Sequence, residues 1–180
     1  MYINPKVAIE NGWITWDKTV VTDIDKYIQP NAIDFDVARV FALNKSDVAY
    51  LSETQKKVRT SRQLELIDDP TIGLAWPLES GECYDFMSNF YCDLPEGVAC
   101  ELIIRSTLNR SGVFLTSGLY DSGFHGNISG MLRVFGGPFN LAPNTRIGQI
   151  KFVRSEESGI LYAGGYSHKE GTHWSEGIKA

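Results

Sequence analysis

The chain has 180 residues, 43% of them hydrophobic and 22% charged, with a formal net charge of -5. That length suits a single hydrophobic core, and the acidic balance argues against DNA or RNA as a partner, whose phosphates call for a basic face. No apolar run nears the ~18 residues that a membrane span needs, Met1–Lys6 has no signal-peptide core, and Cys83, Cys92 and Cys100, without metal-ligand spacing, read as reduced thiols of a cytoplasmic protein.

In chain order, residues 6–12 predict a short helix ended by Gly12, since glycine is favoured just past a helix. Ile24–Tyr27 predicts a short turn, and Pro30 keeps the residue before it extended. Ile33 to Leu43 predicts one strand, with Ile33, Phe35 and Val37 alternating with Asp34, Asp36 and Ala38. Residues 45–68 carry Lys56, Lys57, Arg59 and Arg62 without apolar periodicity and read as a surface insertion or a loose helix. From Leu74 onward, short apolar runs alternate with glycine and proline turns. Strands are expected at 83–91, 98–104, 113–115, 128–134, 147–153 and 160–163, a pattern that predicts an all-β barrel or sandwich. The organisation expected is one β domain over 1–163 with a short helical N-terminal extension, followed by an arm over 164–180. Rich in Gly, Ser, His and charge, that arm is expected to be mobile and to order on a ligand.

The chemistry concentrates in two neighbouring stretches. Arg105-Ser106-Thr107-Leu108-Asn109-Arg110 supplies two guanidinium groups and two hydroxyls, which suit a polyphosphate. Gly118-Leu119-Tyr120-Asp121-Ser122-Gly123-Phe124-His125-Gly126 adds a carboxylate able to activate a water. Each residue also has a plainer reading. Asp121 suits a turn, Arg105 a surface ion pair, Asp34 a solvent-facing strand position, Met131 core packing and His125 a solvated loop. Trp174 is open between stacking on a base, sealing a subunit contact and a free tail tip. His168 and His173 lack the Cys/His spacing of a zinc site, and no protein metal ligand is expected.

From Gln29 to Trp174 the chain resembles the dCTP deaminase and dUTPase family of trimeric β-barrel nucleotide enzymes. Gln29-Pro30-Asn31-Ala32-Ile33-Asp34-Phe35-Asp36 is similar to the first deaminase signature, and Arg105–Arg110 to its Arg-Ser-Ser-x-x-Arg segment. Gly118–Gly126 resembles the third dUTPase motif, and Pro143-Asn144-Thr145-Arg146-Ile147-Gly148-Gln149 the Pro-Gly-x-Arg-Ile-x-Gln motif of both branches. The resemblance implies a jelly-roll-like β-barrel, a homotrimer with sites between subunits, and an arm that closes over a deoxynucleoside triphosphate. It also implies magnesium held mainly by that triphosphate.

The two branches make different demands. In the deaminase branch a Glu shuttles protons from the strand after the Asp-x-Gly turn, and Met131 stands there. In the dUTPase branch an Asp activates water for pyrophosphate release, and Asp121 matches it, with Asp34 in support. Arg105, Ser106, Thr107, Arg110 and Gln149 would bind phosphates. Gly118 belongs to the hairpin that reads the base, and Phe124 replaces the Tyr that stacks on deoxyribose. Tyr162, Lys169 and His173 are similar to the Tyr, Lys and Gln of the deaminase tail. The main expectation is therefore hydrolysis of dUTP, or a related deoxynucleotide, to the monophosphate and pyrophosphate. A dCTP deaminase with a modified mechanism and a non-catalytic nucleotide-binding trimer remain as alternatives. Base preference is not legible, because main-chain groups of the hairpin read it.

Overall fold

The computed structural model describes residues 1–156 and 159–177. In chain order it contains α1 (Pro5–Glu10), β1 (Ile14–Trp16), a 3-10 turn (Ile24–Lys26), β2 (Ile33–Asp36), β3 (Arg39–Leu43), β4 (Tyr50–Leu51), β5 (Lys56–Lys57), β6 (Ser61–Gln63), β7 (Ile67–Asp69) and β8 (Gly73–Leu78). There follow β9 (Cys83–Asp93), β10 (Val98–Ile104), α2 (Ser106–Arg110), β11 (Val113–Thr116), β12 (His125–Val134), β13 (Phe139–Leu141), β14 (Arg146–Arg154) and α3 (Trp174–Gly177).

The organising element is β9. One edge pairs with β12 along its length, while the other is shared by β3 and β1, which meet it over Tyr84–Met87 and Phe90–Cys92. With β11 and β6 these make a six-stranded antiparallel sheet, faced by the three-stranded sheet β10-β14-β2. The two sheets meet in the core, where Phe35 of β2 stacks on Phe86 of β9 with centroids 5.9 Å apart. That stacking requires Gly148, because a Cβ there would lie 2.3 Å from the Phe35 ring. The remaining strands form the small sheet β13-β8-β7 and the ribbon β4-β5. The chain is thus mostly β with few helices, and among the described residues the strands fall into separate sheets rather than one closed ring.

Several expectations are corrected. The single strand over Ile33–Leu43 is two strands in different sheets, because the chain leaves β14 at Asp36 and joins β9 at Arg39. Asp34 and Asp36 are buried, not solvent-facing. Asp36 sits where β9 changes partners, and takes the donors that the ladder leaves free: Ser88 Oγ (3.2 Å), Asn89 N–H (3.1 Å) and Asn89 Nδ2 (3.0 Å). Burial nevertheless raises its carboxyl above the ordinary range. Residues 45–68 hold short strands and turns and no helix. No strand forms at 160–163, whereas β1, β8 and β13 were not anticipated.

The arm is not free over its described part, 164–177. His168 is buried, its Nδ1 bonds the Tyr166 carbonyl (2.7 Å), and its Nε2 accepts the Asn127 N–H (3.0 Å). Asn127 Oδ1 in turn accepts the Gly171 N–H at 2.7 Å. The expected arm residues 178–180 lie outside the described residues.

Candidate functional site

The loop from Ser117 to Phe124 is pinned at both ends. Tyr120 exchanges main-chain hydrogen bonds with Cys100 of β10 (2.9 and 3.0 Å), and Leu94 does the same with Phe124 and Gly123 (both 2.9 Å). The buried Tyr120 hydroxyl donates to the Ser129 carbonyl (2.5 Å) and accepts its N–H (3.0 Å), and burial raises the phenol well above its usual range. Gly123 turns at φ +85, with Leu161 so close that a Cβ would lie 2.9 Å from it. The Tyr162 N–H donates to the Ser122 carbonyl (2.7 Å), which starts the arm back across the loop.

The loop, the middle of β12 and the arm border a cavity of about 430 Å³. Its lining includes Gly118, Phe124, Met131 and Tyr162 from the sequence-derived set, together with Tyr166 and Trp174 of the arm and Asp85 of β9. Phe124 packs edge-on against Tyr120 (4.8 Å) and Tyr162 (5.6 Å). The volume falls within the range of small-molecule sites.

Strand register explains the cavity floor. Thr116 pairs with Met131, Met131 with Asp85, Asp85 with Phe41, and Phe41 with Gln63. Residues directly opposite on neighbouring strands share a face, so these five form one row across the sheet. The arm lies on that row. His173, fully buried, stacks on Phe41 at 4.0 Å, and Trp174 donates its indole N–H to Asp85 Oδ2 at 2.6 Å. His173 Nε2 is 3.1 Å from the same oxygen but out of line for a hydrogen bond, while its Nδ1 bonds Ser175 Oγ at 2.6 Å.

Asp121 is exposed and lines an adjoining depression of about 450 Å³ with Glu96, Ser122, Glu156 and Tyr162. Leu119 and Tyr162 border both spaces. Among the described residues, no arginine or lysine lines that depression.

The cations lie elsewhere. Asp34, on β2 opposite Gln149 of β14, accepts from Gln149 Nε2 (2.9 Å) and Arg146 Nη1 (3.2 Å), with Arg105 Nε 3.9 Å away. Arg105 precedes α2, whose Ser106, Thr107 and Arg110 are exposed. Tyr120 is bridged to Cys100, and Arg105 is five residues further along that strand, a rise of about 17 Å. The chain therefore gathers Asp34, Arg105 and Gln149 in one place and Gly118, Phe124, Met131 and Tyr162 in another, with Asp121 beside the second group. Lys169 is exposed and does not line the cavity; its carbonyl accepts from Thr172.

Sequence reasoning missed Asp85 and Arg146. The signal for Asp85 was a carboxylate set between Tyr84 and Phe86 in an apolar strand. Arg146 was visible in the Pro143–Gln149 motif, but its partner 112 positions away was not.

Comparison with known proteins adds independent findings. A family model described as dCTP deaminase-like matches residues 9–155. A probable deoxyuridine 5'-triphosphate nucleotidohydrolase of Methanopyrus kandleri is 34% identical over 145 residues, covering 80% of this chain and 89% of that protein. A "dCTP deaminase, dUMP-forming" of Rhodococcus opacus is 28% identical over 134 residues, covering 72% of this chain and 69% of that protein. The crystal structure of 2'-deoxycytidine 5'-triphosphate deaminase from Agrobacterium tumefaciens aligns with 83% of this chain at a TM-score of 0.61 and 14% identity, a likeness of fold alone; this chain spans 46% of that one.

Proposed function

This chain belongs to the dCTP deaminase-like family, and from that premise we propose that it hydrolyses dUTP, or a related deoxynucleoside triphosphate, to the monophosphate and pyrophosphate. The observation that carries this reading is the pairing of Met131 in the cavity wall with Asp121 beside it. Methionine transfers no proton, so the position that serves deamination in relatives is inert here, whereas pyrophosphate release needs only an aimed water and charge compensation.

In this reading the nucleoside enters the cavity, its base against the 116–120 hairpin and its sugar against Phe124. Asp121 orients a water and accepts its proton as the water oxygen attacks the α-phosphorus. The bond to the bridging oxygen breaks, and pyrophosphate leaves. Arg105, Ser106, Thr107, Arg110 and Gln149 hold the phosphates, and Asp34 keeps Arg105 and Gln149 aimed. Because those groups lie about 17 Å along β10 from the Tyr120 bridge, a neighbouring copy supplies them. We accordingly propose a homotrimer of jelly-roll-like barrels with sites between subunits, in the cytoplasm, with Tyr162 and the arm residues Lys169 and His173 closing over the nucleotide. Among the described residues no three Asp, Glu, His or Cys side chains form a metal cage. The triphosphate itself then fits as the main ligand of a magnesium ion, which offsets phosphate charge.

Deamination of dCTP is the second reading, favoured by one observation: Asp85 places a carboxylate across the strand pair from Met131. Incubation with dUTP and with dCTP, followed by product separation, decides between them. Pyrophosphate from dUTP is the expected result, ammonia from dCTP supports the second reading, and binding without either product supports a non-catalytic trimer. Asp121→Asn is expected to abolish hydrolysis while leaving nucleotide affinity nearly intact; turnover that survives the change removes Asp121 as the base.

A further inference from the structure

Among the described residues, no hydrogen bond or ion pair reaches the Asp121 carboxylate. Its aim is therefore set by the main chain that carries it, and the residue before it is held from two sides. Strand β11 ends at Thr116, opposite Met131. The same register carried two residues further would put Gly118 opposite Ser129. The chain instead peels away at Ser117, and residues 117–119 become cavity wall. Ser129 would then keep a main-chain N–H and C=O without partners, a state that folded chains rarely leave. The Tyr120 hydroxyl, both donor and acceptor, meets the two at once. It donates to the Ser129 carbonyl at 2.5 Å and accepts the Ser129 N–H at 3.0 Å.

The main chain of Tyr120 belongs to the other sheet, where it exchanges hydrogen bonds with Cys100 of β10 at 2.9 and 3.0 Å. One residue thus joins β10, of the three-stranded sheet, to β12, of the six-stranded sheet, directly before the acid. We infer that Tyr120 is a positioning residue: its hydroxyl fixes the distance between Asp121, carried on the β10 tether, and the β12 wall against which the nucleoside lies. The inference rests on the hydrolysis reading and goes beyond it by assigning a residue that acts through Asp121 rather than on the phosphorus. Burial raises the phenol well above its usual range, so the hydroxyl stays a donor at neutral pH and is not itself the base. A reacting group displaced by about 1 Å can cost on the order of 10²-fold in rate. Loss of the tether should therefore slow the chemical step and leave nucleoside binding in place.

The test is Tyr120→Phe in the full chain. It is followed by dUTP turnover, by calorimetric titration with the non-hydrolysable α,β-imido analogue of dUTP, and by thermal unfolding. Phenylalanine keeps the ring edge-on to Phe124 and deletes the hydroxyl alone. The kcat should fall about 10- to 100-fold, with analogue affinity within about threefold of the parent. Turnover within about threefold of the parent, assayed well below the melting temperature, would reduce Tyr120 to a structural group. That result would overturn the inference while leaving hydrolysis in place. Affinity lost as far as kcat would make the hydroxyl part of the binding wall, and would overturn it too. No turnover by the unaltered protein would fail the hydrolysis reading itself, and the inference with it.

Amide hydrogen exchange on the unaltered protein supplies a second arm that does not depend on the folding of the variant. Because β11 stops short of Ser129, protection of that amide reports the hydroxyl. The Ser129 N–H should exchange at least about 100-fold more slowly than an unstructured amide. In Tyr120→Phe that protection should fall, while the amide of Leu132, paired on both sides within the sheet, stays protected. An unprotected Ser129 amide in the parent, or protection that survives in the variant, would mean that the hydroxyl does not hold β12, and would overturn the inference.

Discussion

Replacing Asp34 with Asn separates the structural work of that carboxylate from the chemistry nearby. The residue is 1% exposed, and its oxygens take Gln149 Nε2 at 2.9 Å and Arg146 Nη1 at 3.2 Å, with Arg105 Nε at 3.9 Å. The amide keeps one acceptor oxygen, which can retain Gln149, and turns an NH2 group toward donors on the arginine side. Breaking a fully buried ion pair costs about 3–5 kcal/mol, but the Arg105 and Arg146 side chains are 34% and 36% exposed, so water recovers part of their charge. The remaining loss is close to one hydrogen bond to a charged group, about 2 kcal/mol. In a domain of this size that lowers the melting temperature by about 4–8 °C. Thermal unfolding of Asp34→Asn followed by circular dichroism at neutral pH measures it. Turnover should fall as well, with Km rising, because Arg105 and Gln149 lose the group that aims them. A melting temperature within about 1 °C of the parent would refute the claim that this carboxylate anchors the arginine cluster.

Arg110→Ala should weaken triphosphate binding more than monophosphate binding in the same titration; equal losses would remove Arg110 from the phosphate site. Met131→Glu places a second carboxylate opposite Asp85, where like charges oppose each other. Ammonia release from dCTP is expected only when Asp85→Asn relieves that repulsion, and release from the single variant would refute the like-charge argument. For Asp36 the linkage has a definite sign. Burial raises its folded-state pKa, so its contribution to stability is full below the ordinary value of about 3.9 and is lost as pH rises through the raised one. The melting temperature of Asp36→Asn, relative to the parent, should therefore climb with pH from about 4 upward, and a difference that stays constant across that range would refute the reasoning.

Local pattern carried a large part of the architecture. Strands β9, β10, β11, β12 and β14 follow from short apolar runs bounded by glycine and proline, and α1 from Gly12 at φ +70. The failures share a cause. β2 and β3 read as one strand because both are apolar, and only a change of partner at Val37–Ala38 divides them. The strand expected at 160–163 had the composition and lacked a neighbour to pair with. The described arm looked mobile because its anchor is the buried His168 against Asn127, two residues 41 positions apart.

The same division runs through the site. By itself the sequence determined the chemical inventory: two arginines with hydroxyls, an acid in a glycine-rich turn, and a methionine in the strand that follows, where the resemblance implies a glutamate. Such features are written in adjacent residues, where spacing along the chain is spacing in the molecule. Only the tertiary structure decided that Arg105 lies about 17 Å along β10 from the bridge beside Asp121, that Asp34 is buried among cations, and that Asp85 shares a sheet row with Met131 and meets Trp174. Register is set by hydrogen bonds between strands distant in sequence, and a slip of one residue would turn each of these side chains to the opposite face.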